Sequence, residues 1–379
     1  MDLPLRATTW RDTKKYAWPL ALLVPLLPFI AYAVWRAAGG AAWSWWIPPL
    51  VVFGVIPTID VLLGDDRVNP PEEIARQLQQ QRYYRWITYL YLPAQYAALV
   101  LCCALWARGG LTAAGLAGLV VTVGIVNGIA INTAHELGHK REAAERWLSK
   151  IALAPAGYGH FYVEHNRGHH VRVATPEDPA SARLGESFWA FWPRTVLGSL
   201  RSAWRLETKR FRLRSRTPWS WRNDVLNAWA MTVVLFAALV AAFGPRILPF
   251  LLLQAVVGFS LLEVVNYLEH YGLRRQRNPA GRYEKVDPRH SWNSDRVVTN
   301  VFLFQLQRHS DHHANPLRRY QTLRSFDVSP RLPAGYATMI VLALITPLWR
   351  RVMDPRVVAH YDGDLSRANV SQPQYACRE

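Results

Sequence analysis

Residues 164–170 read Glu164-His165-Asn166-Arg167-Gly168-His169-His170, three histidines within six positions, a density best explained by metal ligation. Three further stretches carry the same residue type: His135-Glu136-Leu137-Gly138-His139-Lys140, Asn266-Tyr267-Leu268-Glu269-His270-Tyr271-Gly272-Leu273, and His309-Ser310-Asp311-His312-His313. Together they hold nine of the 12 histidines in the chain. His135 and His139 are four apart, so on a helix both imidazoles share a face, about 5–6 Å apart at Cβ, which suits two ligands of one metal. His165 and His169 repeat that spacing with His170 alongside, and His309 repeats it with His312 and His313. Each of these elements can offer ligands to two neighbouring metals.

His-Glu-Leu-Gly-His is also the signature of zinc proteases, with Glu136 as general base. That reading fails on counting, because three ligands and one open position leave most of the nine histidines idle. Two metals with four or five nitrogens each absorb all nine: His135, His139, His165, His169, His170, His270, His309, His312 and His313. A structural role for all four clusters is disfavoured, since unpaired imidazoles at membrane depth are costly. An all-nitrogen set points to iron, copper or zinc. Redox chemistry favours two iron ions, which can take up O2 and two electrons and attack an unactivated C–H bond. Zinc has no such chemistry.

The elements that must hold these clusters are membrane spans. Hydrophobic residues make up 51% of the 379 residues, yet the mean hydropathy is only −0.02, as in a chain where apolar blocks alternate with basic ones. The sequence predicts an all-α polytopic membrane protein with six spans at about 17–34, 46–63, 86–106, 112–134, 225–243 and 247–268. The first block, with its basic lead (Arg6, Arg11, Lys14, Lys15), also resembles a signal peptide; its length and the spans that follow favour a retained helix. The segments before the first span, at 64–85, at 135–224 and after about 270 are rich in Arg and Lys, whereas the turns near 37–42, 107–111 and 244–246 are not. Both termini and all four clusters are therefore expected on the cytoplasmic side.

The chain reads as one domain, with a histidine-rich cytoplasmic cap at 135–224 and 270–353 and a polar tail at 354–379. Residues 150–163 are too short to cross and suit a re-entrant or interfacial piece; 336–349 suits a peripheral helix. The net charge of +17 comes from arginines flanking the spans, not from a nucleic-acid-binding stripe, so no nucleic acid is expected. Cys102, Cys103 and Cys377 form no metal-binding spacing.

The four motifs, with the run Arg172-Val173-Ala174-Thr175-Pro176-Glu177-Asp178-Pro179-Ala180, resemble those of the membrane-bound alkane 1-monooxygenases over nearly the whole chain. Membrane fatty-acid desaturases and hydroxylases share the three short histidine boxes; the Asn266 to Leu273 motif favours the alkane hydroxylase branch. The resemblance implies a non-haem di-iron enzyme of the bacterial inner (plasma) membrane that oxidises a terminal methyl to a primary alcohol. It also implies O2 and electrons from NADH through rubredoxin reductase and rubredoxin. No pair of Cys-x-x-Cys motifs is present, so that donor is a separate chain. A desaturase or xylene-type hydroxylase is the nearest rival; a membrane zinc protease or a metal-binding transporter is a rival of another class.

Ligating imidazoles donate their second N–H to a carboxylate or carbonyl. Glu136, Glu164, Glu269, Asp178 and Asp311 are the candidates to orient them, while Lys140, Arg167 and Arg308 are expected to pair with those carboxylates. Of the remaining histidines, His160 is a candidate to support a ligand, His290 is expected to be structural, and His360 is expected in solvent. An alkane partitions into the lipid and must reach the metals through the spans. Val52 and Phe53 are the expected channel residues, with Val52 small enough to admit medium to long chains.

Overall fold

The computed structural model describes residues 10–371. Arg6 of the basic lead, Cys377 and the last residues of the expected tail lie outside the described residues. Those described form helices joined by loops and isolated bridges, with no strand among them. Six helices are long and apolar enough to cross a membrane: Trp18–Ala37, Ala42–Leu63, Arg82–Arg108, Ala113–Gly138, Asp224–Phe243 and Pro245–His270. Helices are the form that satisfies every backbone N–H and C=O within one segment where no water can.

The fourth span is the axis of the bundle, with 78% of its apolar window buried against 44% for the sixth. Glycines let these two approach closely. A Cβ at Gly124 would lie 2.5 Å from Val257, and one at Gly128 would lie 2.8 Å from the Gly258 carbonyl. Small residues at such crossings replace the hydrophobic driving force that lipid does not supply. This crossing brings the His135 and His270 ends of the two helices to one end of the bundle.

An amide relay ties the centre together. Gln95 Nε2 donates to Asn127 Oδ1 at 2.9 Å, and Asn127 Nδ2 donates to Gln254 Oε1 at 2.6 Å. Gln254 in turn donates to the Pro155 carbonyl at 2.7 Å. That last bond anchors residues 150–163, which do not cross. They run from helix Ala143–Leu153 through a 3-10 turn at Ala154–Ala156 packed on the fourth, fifth and sixth spans.

The second span is longer at its start than the expected 46–63 and is broken within. A 3-10 turn at Ala42–Trp46 leads into Ile47–Leu50, a π-helical stretch at Val51–Val55 and an α-helix at Ile56–Leu63. Pro48, Pro49 and Pro57 lack the N–H that a regular helix needs, which accounts for the irregularity. At its end the buried carboxylate of Asp60 accepts the backbone N–H groups of Val298 and Thr299 at 2.8 and 3.0 Å, fastening this span to the cap.

Two features of the cap correct the sequence expectation. Residues 336–349 form not one helix but the short helix Tyr336–Ala343 and the start of a second, Thr346–His360. The second runs six residues past the expected start of a polar tail at 354, because Trp349, Met353 and Val357 recur at helical spacing and are all fully buried. His360 accordingly stands not in solvent but half-buried, its ring 6.2 Å from that of Trp292.

Candidate metal centre

Residues Glu164–His169 form a π-helical turn. In an α-helix His165 and His169 would share a face; widening the turn to i→i+5 bonds gives that relation to His165 and His170 instead. Their Nε2 atoms lie 3.0 Å apart. His169 turns away to meet His313, Nε2 to Nε2, at 3.2 Å. Helix His309–Ala314 divides likewise: His312 reaches His170 at 3.1 Å, whereas His309 and His313 face one another at 2.8 Å.

Two groups result. His135, His139, His165, His170 and His312 form one, and His169, His270, His309 and His313 form the other. Within each, one ligand atom per residue lies within 4.8 Å of all the others. His270 joins the second group, not the one that holds His135.

The donor set fits metal ions. The Nε2 atoms of His135, His139 and His270 are buried with no hydrogen-bond partner, and each such orphan costs about 1–3 kcal/mol. A neutral imidazole carries one donor and one acceptor, so five or four nitrogens converging on a point cannot all satisfy one another. A cation can satisfy them together. Burial, reinforced by the neighbouring imidazoles, holds His139, His165, His170, His312 and His313 well below the ordinary histidine range, leaving them neutral and able to ligate.

The expected orienters separate. His169 Nδ1 donates to Asp178 Oδ2 at 2.9 Å, and Ser181 Oγ donates to the same oxygen at 2.7 Å. Burial pushes the Asp178 carboxyl upward, but His169 and Ser181 outweigh it and bring the group down to about 2. The carboxylate thus fixes the His169 tautomer with Nε2 aimed at the second group. Glu269 approaches His309 differently, with Oε2 3.2 Å from Nε2, the ligating nitrogen. It therefore meets the nitrogen that also faces His313, not the far side of the ring from which a carboxylate would orient it.

Glu136, Glu164 and Asp311 orient no histidine. Glu136 pairs with Lys140 at 3.0 Å, Glu164 with Arg172 at 2.6 Å, and Asp311 with Arg318 at 2.8 Å. Of the three expected cationic partners, Lys140 alone meets a motif carboxylate. Arg167 pairs with Glu207 and Asp224, and Arg308 chiefly donates to the Leu323 and Asp66 carbonyls.

His290 contributes what its side chain did not suggest. Its carbonyl accepts from His270 Nδ1 at 3.1 Å, freeing His270 Nε2 for the second group. Its ring stays among Glu284 and Asp287. No side-chain pattern announces a backbone carbonyl, so sequence reasoning had no signal for this contact. His160 is buried with neither nitrogen partnered, its ring 4.2 Å from that of Tyr158, and belongs to neither group.

An apolar cavity adjoins both groups. His135 and His165 of the first, and His309 with Glu269 of the second, form part of its wall. Val52 and Phe53 line it, with Phe161, Leu261, Leu303 and Ile340 among the rest. Asn132, Asn266 and Thr299 are its few other polar walls. The arrangement places an apolar space against two groups of converging nitrogens.

A family model described as fatty acid desaturase matches residues 111–343. Alkane 1-monooxygenase of Pseudomonas putida is 45% identical over 372 residues, covering 98% of this chain and 92% of that protein. Its counterpart in Ectopseudomonas oleovorans is 46% identical over 366 residues, covering 96% and 90%. The chain belongs to the alkane 1-monooxygenase family. A hydroxylase component of xylene/toluene monooxygenase from Pseudomonas putida is 23% identical over 62% of each chain. The alkane 1-monooxygenase likeness thus extends over the whole bundle and its cap, where the aryl-side likeness covers only part.

Proposed function

We propose that this protein hydroxylates the terminal methyl of medium- to long-chain n-alkanes at two iron ions. His135, His139, His165, His170 and His312 hold one ion, and His169, His270, His309 and His313 hold the other, with Glu269 beside His309. The observation that carries this reading is that one apolar cavity is bounded by ligands of both groups. When bound, two irons supply the redox chemistry that reduces O2 and oxidises a C–H bond. The balance is alkane, O2, two electrons and two protons to alcohol and water.

The chain's own part is placement. The cavity excludes water, and its apolar walls hold the alkane end-on, so the terminal carbon is nearest the metals and geometry outweighs the weaker secondary C–H bonds. Asp178 and the His290 carbonyl hold two imidazoles in one tautomer, keeping the ligand field fixed while electrons arrive. Val52, buried at the cavity wall, leaves room for the length of the chain.

The electrons come from rubredoxin, a separate protein fed by an NADH-dependent reductase. The cap and both termini face the cytoplasm of a bacterium and the bundle lies in its inner membrane, consistent with the Arg-rich and Lys-rich segments on the cap side.

Protein in nanodiscs, given rubredoxin, its reductase, NADH and octane, is expected to yield 1-octanol and to contain about two irons per chain. An alkene product would favour a desaturase. Bound zinc with peptide cleavage and no alcohol would favour the protease that His135 to His139 allow in isolation.

A further inference from the structure

The hydroxylation proposed above consumes two electrons, and the chain, with 3 cysteines and no Cys-x-x-Cys pair, holds no relay of its own. A donor protein must therefore approach a metal ligand from outside. The cap contains a surface shaped for that.

Helix Phe188–Arg212 crosses the outside of the cap. Arg201, Arg205 and Lys209 are spaced four apart, so they share one helical face, and all three are exposed. Among the described residues none of the three is in an ion pair, unlike their neighbours Arg194, which holds Glu186, and Arg210, which holds Glu207. This row forms one wall of a groove whose other wall is the loop Pro176 to Pro179. Gly198 brings the two walls together: a Cβ there would lie 2.7 Å from the Pro179 side chain.

The groove's floor matters most. Asp178 lines it and, from the inner side, accepts the hydrogen bond of His169, a member of the second histidine group. One hydrogen bond thus separates the groove from a metal ligand. The acid at its rim, Glu177, is occupied by Arg277 and Tyr283, which leaves the row's positive charge uncompensated.

We infer that this groove is the docking face for an acidic one-electron donor protein, and that electrons pass from it by way of Asp178 and His169. Two reduced donors bind in turn, each is oxidised by one electron, and the two electrons complete the balance given above. Opposite charge across the contact speeds encounter and makes it salt-dependent.

The test compares wild type with an Arg201→Glu/Arg205→Glu/Lys209→Glu variant, both in nanodiscs and using purified reduced rubredoxin. The KM for rubredoxin at low salt is expected to rise at least about tenfold in the variant, with the gap closing toward about 0.5 M salt. The alcohol formed in a single turnover of dithionite-reduced enzyme reports the metal chemistry separately. Wild type forming no alcohol there would fail the hydroxylase reading itself. A variant that forms alcohol there with an unchanged rubredoxin KM would overturn the docking face alone. Should the row instead hold anionic headgroups, the rubredoxin KM would not move, and replacing phosphatidylglycerol by phosphatidylcholine would lower wild-type but not variant activity; that outcome too overturns the proposal.

Discussion

His165 and His170 face one another, Nε2 to Nε2, at 3.0 Å, although five positions separate them. A regular α-helix does not give that relation; the π-helical turn does, and it sends His169 to the opposite metal position. Replacing His170 by Ala should therefore empty the five-nitrogen position preferentially. Iron is expected to fall to about one per chain, with alcohol formation lost. His160→Ala, which removes a buried histidine outside both groups, should keep full iron. Metal analysis of the two purified variants decides the matter, and equal iron loss in both would refute the assignment.

Asp178 acts through His169. Asp178→Ala leaves His169 Nδ1 without an acceptor and is expected to weaken iron retention at the second group by about 10–100-fold, measured as iron remaining after dialysis against a graded chelator. Asp178→Asn keeps an acceptor oxygen in place and should retain most of it. Ser181 Oγ, which donates to the same carboxylate, is expected to have a smaller effect on removal.

Val52 sits in the π-helical stretch of the second span with its side chain on the cavity wall. Enlarging it to Trp fills space that the substrate chain needs. Product from dodecane and longer alkanes should drop about tenfold or more while octane is less affected, since a shorter chain still fits and a lost fit costs about 1–3 kcal/mol. Gas chromatography of alcohols from an equimolar alkane mixture reads this directly, and an unshifted length profile would rule out Val52 as a limit.

The pair Glu136 and Lys140, 3.0 Å apart and both buried, lies within the His-Glu-Leu-Gly-His-Lys motif yet touches no ligand. Lys140→Met strands a buried carboxylate and is expected to cost about 3–5 kcal/mol of stability, while adding Glu136→Gln should recover much of that loss. Thermal unfolding in one detergent measures both. A single variant as stable as wild type would show that the pair does not brace this helix end.

Much of this was legible in the sequence because its signals were strong and local. Apolar blocks flanked by Arg and Lys marked six helices whose observed bounds differ by a few residues, most at Arg82–Arg108 and Ala113–Gly138. Histidine density marked the residues that converge in two groups. What escaped depended on departures from regular geometry. Spacing of i,i+4 suggested His165 with His169, but the π-turn reassigned them. Polar composition suggested a tail from 354, but burial of Met353 and Val357 shows that Arg351 and Arg356 decorate the outer face of a packed helix. Carboxylates beside histidines in sequence were poor guides to carboxylates beside them in space: Glu136, Glu164 and Asp311 each found a cation instead.

The division of the histidines has one more consequence. Residues 164–170 and helix His309–Ala314 each give ligands to both groups, so neither position is built from private elements. An ion entering one orders the backbone that the other requires, and an ion leaving one loosens it. A change in one group is therefore expected to be felt by the other: the four-nitrogen group of a His170→Ala protein should keep its ion but yield it to a chelator more readily than in the intact protein.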